Sequence, residues 1–318
     1  MKAAVISGYG GPDRLEIREV EKPAPGPGQL LVRVRAAAVN PIDWKLRKGQ
    51  LRLVKPARFP LILGYDVAGE VEAVGAEVGR FAPGDAVYAL LDSPHGGGYA
   101  EYVLVGEEAA APKPERLSFE EAAAVPVGGL TALQALRDKG ELAEGERLLV
   151  VGGAGGVGHF TVQLGKALGA HVVAVASGRN QAFLGELGAG RGIDYEQEDF
   201  TTDEETYHVV FDAAGNSSFR ECDLILEEGG VYVTTVVGPA IFIRSVASTL
   251  AGLFGPARRC RSVIVKPSGQ DLAFLGRLID AGRLRPHVEE VFRLERIADA
   301  HSYSETGHVR GKLVIRIE

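Results

Sequence analysis

Three short stretches bring together residues able to do chemistry. In RLLVVGGAGGVGHFTVQLGKALG the run Gly153-x-Gly155-x-x-Gly158 follows a hydrophobic segment and opens a helical one. Glycines at that spacing let backbone N–H groups approach a pyrophosphate while the positive end of the next helix meets the anion. The competing reading is a Gly-rich turn without a ligand. One segment later, after HVVAVA, an Asp or Glu would accept from the ribose 2′-hydroxyl of NAD, but the chain has Ser177-Gly178-Arg179. No carboxylate there repels a phosphate, Arg179 can pair with one and Ser177 can donate to it, so NADPH is preferred over NADH. Arg179 as a solvated loop charge is the alternative.

The third stretch is AVNPIDWKLRKG, residues 38–49, directly after the alternating run LLVRVRA. Asn40 offers a side-chain amide to a substrate oxygen or a ribose, although Asn before Pro also starts turns. Asp43 either fixes the loop through its carboxylate or caps the helix suggested by WKLRKG.

These residues need elements to hold them. Up to about residue 122 the chain reads as short alternating segments broken by Gly and Pro (KAAVIS, RLEIREV, LLVRVRAAAV, DVAGEVEAVG, DAVYAL, AEYVLV), the pattern of an antiparallel β-rich unit. From 123 to 265 buried strands alternate with helices: GGLTALQALRDKG as helix, ERLLVVGG as strand, GVGHFTVQLGKALG as helix, then HVVAVAS, YHVVFDAAG, GGVYVTTVVG and CRSVIVKP as strands. That alternation implies a parallel, doubly wound sheet. After Pro267 the order is helix, strand, helix and a final strand, GKLVIRI. The change of pattern near residue 122 separates the β-rich unit from the alternating one.

Bulk properties narrow the classes. The 318 residues are 46% hydrophobic and 24% charged, ordinary globular usage, and suffice for two cores. A net charge of −7 works against a wide phosphate-backbone interaction, so nucleic acid is not expected as a partner. Cys222 and Cys260 have no metal-ligand or disulfide spacing and read as buried thiols in a reducing cytoplasm. MKAAVISGYGGP reads as a first strand and turn rather than a signal peptide. The apolar region Val231 to Phe254 is broken by Pro239 and Arg244 and falls short of a membrane span. Within it AIFIRSVASTLAGLF is longer than the parallel sheet needs, and is either a cleft wall or a dimer contact.

Through VNPIDWKLRKG, LGYDVAGEV, PVGGLTALQAL, GGAGGVG and VRGKLVI, the whole chain resembles the medium-chain dehydrogenase/reductase superfamily, and within it the zinc-independent quinone oxidoreductase branch that includes the zeta-crystallin-like enzymes. The resemblance implies an α/β fold: a GroES-like β-rich catalytic domain, 1–122 completed by a C-terminal return at 266–318, and a doubly wound Rossmann cofactor domain, 123–265. It puts Asn40, Tyr65 and Val127 where zinc-dependent relatives hold their metal ligands, and none of the three is a usual zinc ligand. No metal site is expected. Without a Lewis acid the acceptor must spread negative charge by its own conjugation, as quinones and α,β-unsaturated carbonyls do.

Carried over residue by residue, the family pattern places Thr131, Ala154, Gly155, Gly156 and Val157 at the pyrophosphate. Ser177, Arg179 and Tyr195 fall at a 2′-phosphate and Asn216 on the adenosine side. Val237, Gly238, Ser262 and Val263 lie on the nicotinamide side, and Arg310 and Lys312 could reach the phosphate region. Lys45 stands where several relatives carry a Tyr at the cofactor; its ammonium can attract a phosphate or protonate an enolate, with solvent as the alternative proton source. Tyr65 would face the vacated metal position, or be a plain core tyrosine. The expectation is an NADPH-dependent, zinc-free reductase of quinones or enones with Asn40, Asp43, Lys45 and Tyr65 in the catalytic region. The alternatives are a metal-free carbonyl reductase or alcohol dehydrogenase, and an NADPH-binding structural or regulatory protein. A homodimer in the cytoplasm is expected.

Overall fold

The computed structural model describes residues 1–251 and 255–318, without the side chains of residues 239, 240, 242 and 249–251. Its contacts divide it into two compact units, Met1–Leu130 with Lys266–Glu318, and Thr131–Val265. The first boundary falls inside helix Pro126–Gln134, eight residues beyond the expected position.

The first unit is built on one long strand, Gln29–Val39. Its Leu, Val and Ala positions are buried while Arg33 points outward. Three strands pair with it, all antiparallel. Asp66–Val74 runs along most of its length, Tyr102–Gly106 takes residues 29–33, and Lys312–Arg316 takes residues 36–39. The small side chains of Ala36, Ala37 and Ala38 lie where strands flank it on both sides, and all three are fully buried. The sheet continues through Ala86–Leu90 to Ala110–Pro112 on one side and to Val288–Arg293, parallel to the last strand, on the other. A separate three-stranded sheet joins Glu16–Glu19, Lys2–Ile6 and Leu61–Ile62.

The second unit holds six parallel strands in the spatial order Arg191–Asp194, His171–Ala176, Arg147–Val151, Tyr207–Asp212, Leu226–Thr234 and Arg259–Ser262. Numbered along the chain this is 3-2-1-4-5-6, the doubly wound dinucleotide-binding order. The strands read as continuous Val/Ile/Leu runs because both faces are covered: Leu148, Leu149, Val150, Val209, Val210 and Phe211 are all buried. Helix Gly158–Ala167 follows the central strand, and Gly169, with φ +83°, turns the chain back into His171–Ala176. The apolar stretch after Gly238 forms helix Pro239–Ala251, with Ile243 and Val246 exposed; its continuation at 252–254 lies outside the described residues.

Candidate active site

In the first unit the Asn-Pro-x-Asp ending of the long strand becomes a helix start. Asn40 is the N-cap of helix Pro41–Arg47, Pro41 supplies the pre-set φ of the first turn, and Asp43 Oδ2 returns to accept from the Asn40 N–H at 2.8 Å. Asp43 is fully buried. It also accepts from the Gly64 N–H at 3.2 Å and from the Tyr99 hydroxyl at 3.0 Å. Burial pushes its carboxyl up to about 7, against the pull of the Asn40 N–H and the Tyr99 hydroxyl.

The Asn40 side chain joins a second buried cluster. Its Nδ2 donates to Asp66 Oδ2 at 2.9 Å and its Oδ1 accepts from the Lys312 ammonium. Lys312 also donates to Asp66 Oδ2 at 3.1 Å, and Asp66 Oδ1 accepts from the Val127 N–H at 2.7 Å. Asn40, Asp66 and Lys312 are at most 3% exposed. Burial raises the Asp66 carboxyl, and the Lys312 charge and the donors around it pull the other way. Strand register explains the meeting: Leu313 pairs with Val39, and Asp66 with Ala38, so the last strand and Asp66–Val74 both reach the end of the long strand where Asn40 leaves it.

Lys312 therefore corrects one expectation. Its ammonium is engaged by Asp66 and Asn40 in the first unit and is not presented to a cofactor phosphate. Tyr65 is buried, its hydroxyl donating to the Pro94 carbonyl at 2.6 Å and accepting from Lys55 at 3.2 Å. Burial drives that phenol well above its ordinary range. Lys45 is exposed, its ammonium 5.5 Å from the centre of the Trp44 ring. Among the described residues no three His, Cys, Asp or Glu side chains form a metal-binding group.

Sequence reasoning missed part of this region. Asp66 stands beside Tyr65 in the quoted Gly-Tyr-Asp, and its cue was a charge inside an apolar strand. At the end of helix Pro41–Arg47, Arg47 is fully buried and pairs with Glu305. His301 is buried edge-on to Tyr99, with neither ring nitrogen hydrogen-bonded among the described residues. Burial, with the Arg47 charge, lowers the His301 ring to about 3, so it is neutral at physiological pH.

The cofactor residues named from the sequence, apart from Thr131 in helix Pro126–Gln134 and Arg310 and Lys312 in the first unit, lie at the carboxyl ends of the parallel strands of the second unit. The glycine loop follows Arg147–Val151. Gly152, with φ +80°, makes the turn, and a Cβ on Gly158 would come 2.0 Å from the Gly152 carbonyl oxygen. A Cβ on Gly155 would meet only that same oxygen, at 3.5 Å, so the loop stays open there. Ala154 is buried, Gly155, Gly156 and Val157 are half-buried, and Val157 caps the ten-residue helix Gly158–Ala167. This cradle and its helix N-terminus fit a dinucleotide pyrophosphate.

Ser177 and Arg179 occupy the turn after the next strand, with the Ser177 Oγ accepting from Asn180 Nδ2 at 3.1 Å and Arg179 exposed. Tyr195 is exposed at the end of Arg191–Asp194. The Asp194 and Glu196 carboxylates stand beside Gly178, whose Cβ would lie 2.6 Å from Asp194 Oδ2. Asn216 is exposed, and its loop is shaped by a residue the sequence reading passed over. The buried Asp212 carboxylate accepts from the N–H groups of Gly215, Asn216 and Ser217 at 2.8, 3.3 and 2.9 Å. Val237 is exposed and Gly238 half-buried after Leu226–Thr234. Ser262 is half-buried opposite Thr234, and the buried Val263 donates its N–H to the Thr234 carbonyl at 2.9 Å. Thr131 is buried in helix Pro126–Gln134.

Comparison with known proteins agrees with this architecture. Residues 26–115 match the family described as alcohol dehydrogenase GroES-like domain, and residues 187–315 that described as zinc-binding dehydrogenase. A chloroplast envelope quinone oxidoreductase homolog of Arabidopsis thaliana is 33% identical over 326 residues, covering 99% of this chain and 98% of its own. The chloroplastic NADPH-dependent alkenal/one oxidoreductase of the same plant is 36% identical over 331 residues, covering 99% of this chain and 79% of its own. The quinone oxidoreductase structure from Coxiella burnetii superposes with a TM-score of 0.90 at 36% identity, over 100% of this chain and 99% of that one. A GroES-like sheet unit with a parallel Rossmann-like unit defines an oxidoreductase of the medium-chain type. The chain belongs to the medium-chain dehydrogenase/reductase superfamily, as a quinone-oxidoreductase-like member.

Proposed function

We propose that the chain is an NADPH-dependent enzyme that reduces quinones or α,β-unsaturated carbonyls without a metal ion. The observation that carries this reading is the Lys312 ammonium seated between Asn40 and Asp66. Of the three positions that match metal ligands in zinc-dependent relatives, Asn40 is bonded to that ammonium and Tyr65 donates its proton to a carbonyl; Val127 has no donor atom in its side chain. A fixed positive charge and this donor set do not fit zinc. Acceptors that delocalise charge by conjugation suit such a site.

A bound dihydronicotinamide would supply the hydride. The glycine loop and helix Gly158–Ala167 hold its pyrophosphate, Ser177, Arg179 and Tyr195 serve a 2′-phosphate, and Asn216 and the ends of the last two strands carry its remaining length. Asn40, fixed at both ends of its amide, presents one orientation to whatever lies beside it. The exposed Lys45 ammonium steadies the oxyanion left by hydride addition and returns a proton to it. Asp194 and Glu196 beside Gly178 favour a second reading, NADH, because two carboxylates there oppose a 2′-phosphate. The free buried thiols Cys222 and Cys260 suit a reducing compartment, read here as the cytoplasm. The outer edge of Arg259–Ser262, with Ile243, Val246 and Ile264 exposed nearby in sequence, suits a homodimer.

The test follows nucleotide absorbance with a quinone, an enone and a simple aldehyde, each with NADPH or NADH and with or without chelator. Turnover of the conjugated acceptors with NADPH, insensitive to chelator, is expected. Lys45→Ala should lower it by about 10²-fold, and Arg179→Ala should erase the preference for NADPH. Loss of activity on chelation, or turnover of the aldehyde alone, would sink the reading.

A further inference from the structure

From the second half of helix Pro41–Arg47 to Tyr65 the chain makes a basic surface segment. Residues 44–65 contain Lys45, Arg47, Lys48, Arg52, Lys55 and Arg58 and no Asp or Glu, in a chain of net charge −7. At its tip is an ordered turn, with the Val54 and Lys55 N–H groups donating to the Leu51 carbonyl at 3.0 and 2.7 Å. Its underside is pinned: the Ala57 N–H donates to the Tyr9 hydroxyl at 3.2 Å, Phe59 packs edge-on against Tyr9 at 4.9 Å, and Lys55 reaches Tyr65. Its outer side leaves Leu53 93% and Val54 76% exposed, the two most exposed large aliphatic side chains of the first unit. Arg52 and Arg58 flank them, both exposed and without an ion-pair partner among the described residues. The nearby Glu305 is already engaged by Arg47 and Lys48.

We infer that this turn docks on the surface of an anionic phospholipid bilayer, with Leu53 and Val54 entering the headgroup boundary and Arg52 and Arg58 lying over lipid phosphates. Two aliphatic side chains are too few for a stable protein–protein interface, which buries about 1,000 Å² or more. They suit shallow interfacial insertion supported by basic residues. A chain of net charge −7 is repelled by an anionic surface unless its cationic face is turned toward it. Screening over about 8 Å at physiological salt then leaves the local patch in control. No helix among the described residues is long and apolar enough to cross a membrane, so the attachment is peripheral.

The experiment sediments the full chain with vesicles of phosphatidylcholine alone or mixed with phosphatidylglycerol, at low and high salt. Partitioning needs no reductase activity, so its outcome is separate from that of the function proposed above. Binding to the mixed vesicles only, weakened by salt, is expected. Arg52→Glu with Arg58→Glu should reduce the partition coefficient at least about fivefold per charge removed. Leu53→Ser with Val54→Ser should reduce it about tenfold. Unchanged melting temperatures would show that both paired variants fold. Equal partitioning to the two kinds of vesicle, no partitioning to either, or a loss confined to the charge variant would overturn the inference.

Discussion

The Asp43 carboxyl is a group whose ionisation the fold controls. Held at about 7 in the folded chain, against about 3.9 when free, it keeps a proton between those values that the unfolded chain has released. Its contribution therefore favours the fold below about pH 4 and is lost as pH rises through 7. The whole effect is of order 4 kcal/mol, at about 1.4 kcal/mol per unit. Urea unfolding of the wild type and of Asp43→Asn should show their stability difference shrinking between pH 4 and 7.5. A difference flat across that window would move the proton to another group. The helix start at Asn40 and Asp43 was legible because the two stand three residues apart at the end of an alternating strand. Lys312 was read as a phosphate contact because nothing local in VRGKLVI reveals which strand its neighbour Leu313 will pair with.

At the scale of elements, the glycine loop separates two kinds of glycine. Gly158 packs its α-carbon face against the Gly152 carbonyl, where a Cβ would approach to 2.0 Å, whereas Gly155 meets nothing nearer than 3.5 Å. Gly158→Ala should therefore cost about 1–3 kcal/mol of stability through overpacking, seen as a lower melting temperature without any ligand. Gly155→Ala should melt like the wild type yet lose most of the thermal shift given by added NADPH, because the methyl group fills space the anion needs. Equal melting of the two variants would contradict this division. The helices and parallel strands here were readable from hydrophobic periodicity and glycine stops. The Asp212 scaffold under the Ala213–Ser217 turn was not, since a carboxylate ending a strand looks like an ordinary exposed charge until the loop folds over it.

For the molecule as a whole, the order of the chain matters. Thr131–Val265 is contiguous, but the first unit waits for its last strand, Lys312–Arg316, to pair with residues 36–39. Removing residues 312–318 strips that pairing and leaves the Asp66 carboxylate buried without its ammonium, a loss worth about 3–5 kcal/mol or more. Limited proteolysis of such a truncated chain should digest 1–130 while a fragment near 131–265 persists; equal resistance of both would refute the dependence. Two-unit organisation was legible from the change of pattern along the sequence, and the return of the far end to the first unit came with the family resemblance; the pairing of Lys312–Arg316 with residues 36–39 was not legible, because nothing local specifies a strand's partner. The Lys312 ammonium also gives this region a positive charge joined to the backbone. It arrives with folding, in fixed stoichiometry, and cannot be leached, exchanged for a competing ion or starved by scarcity.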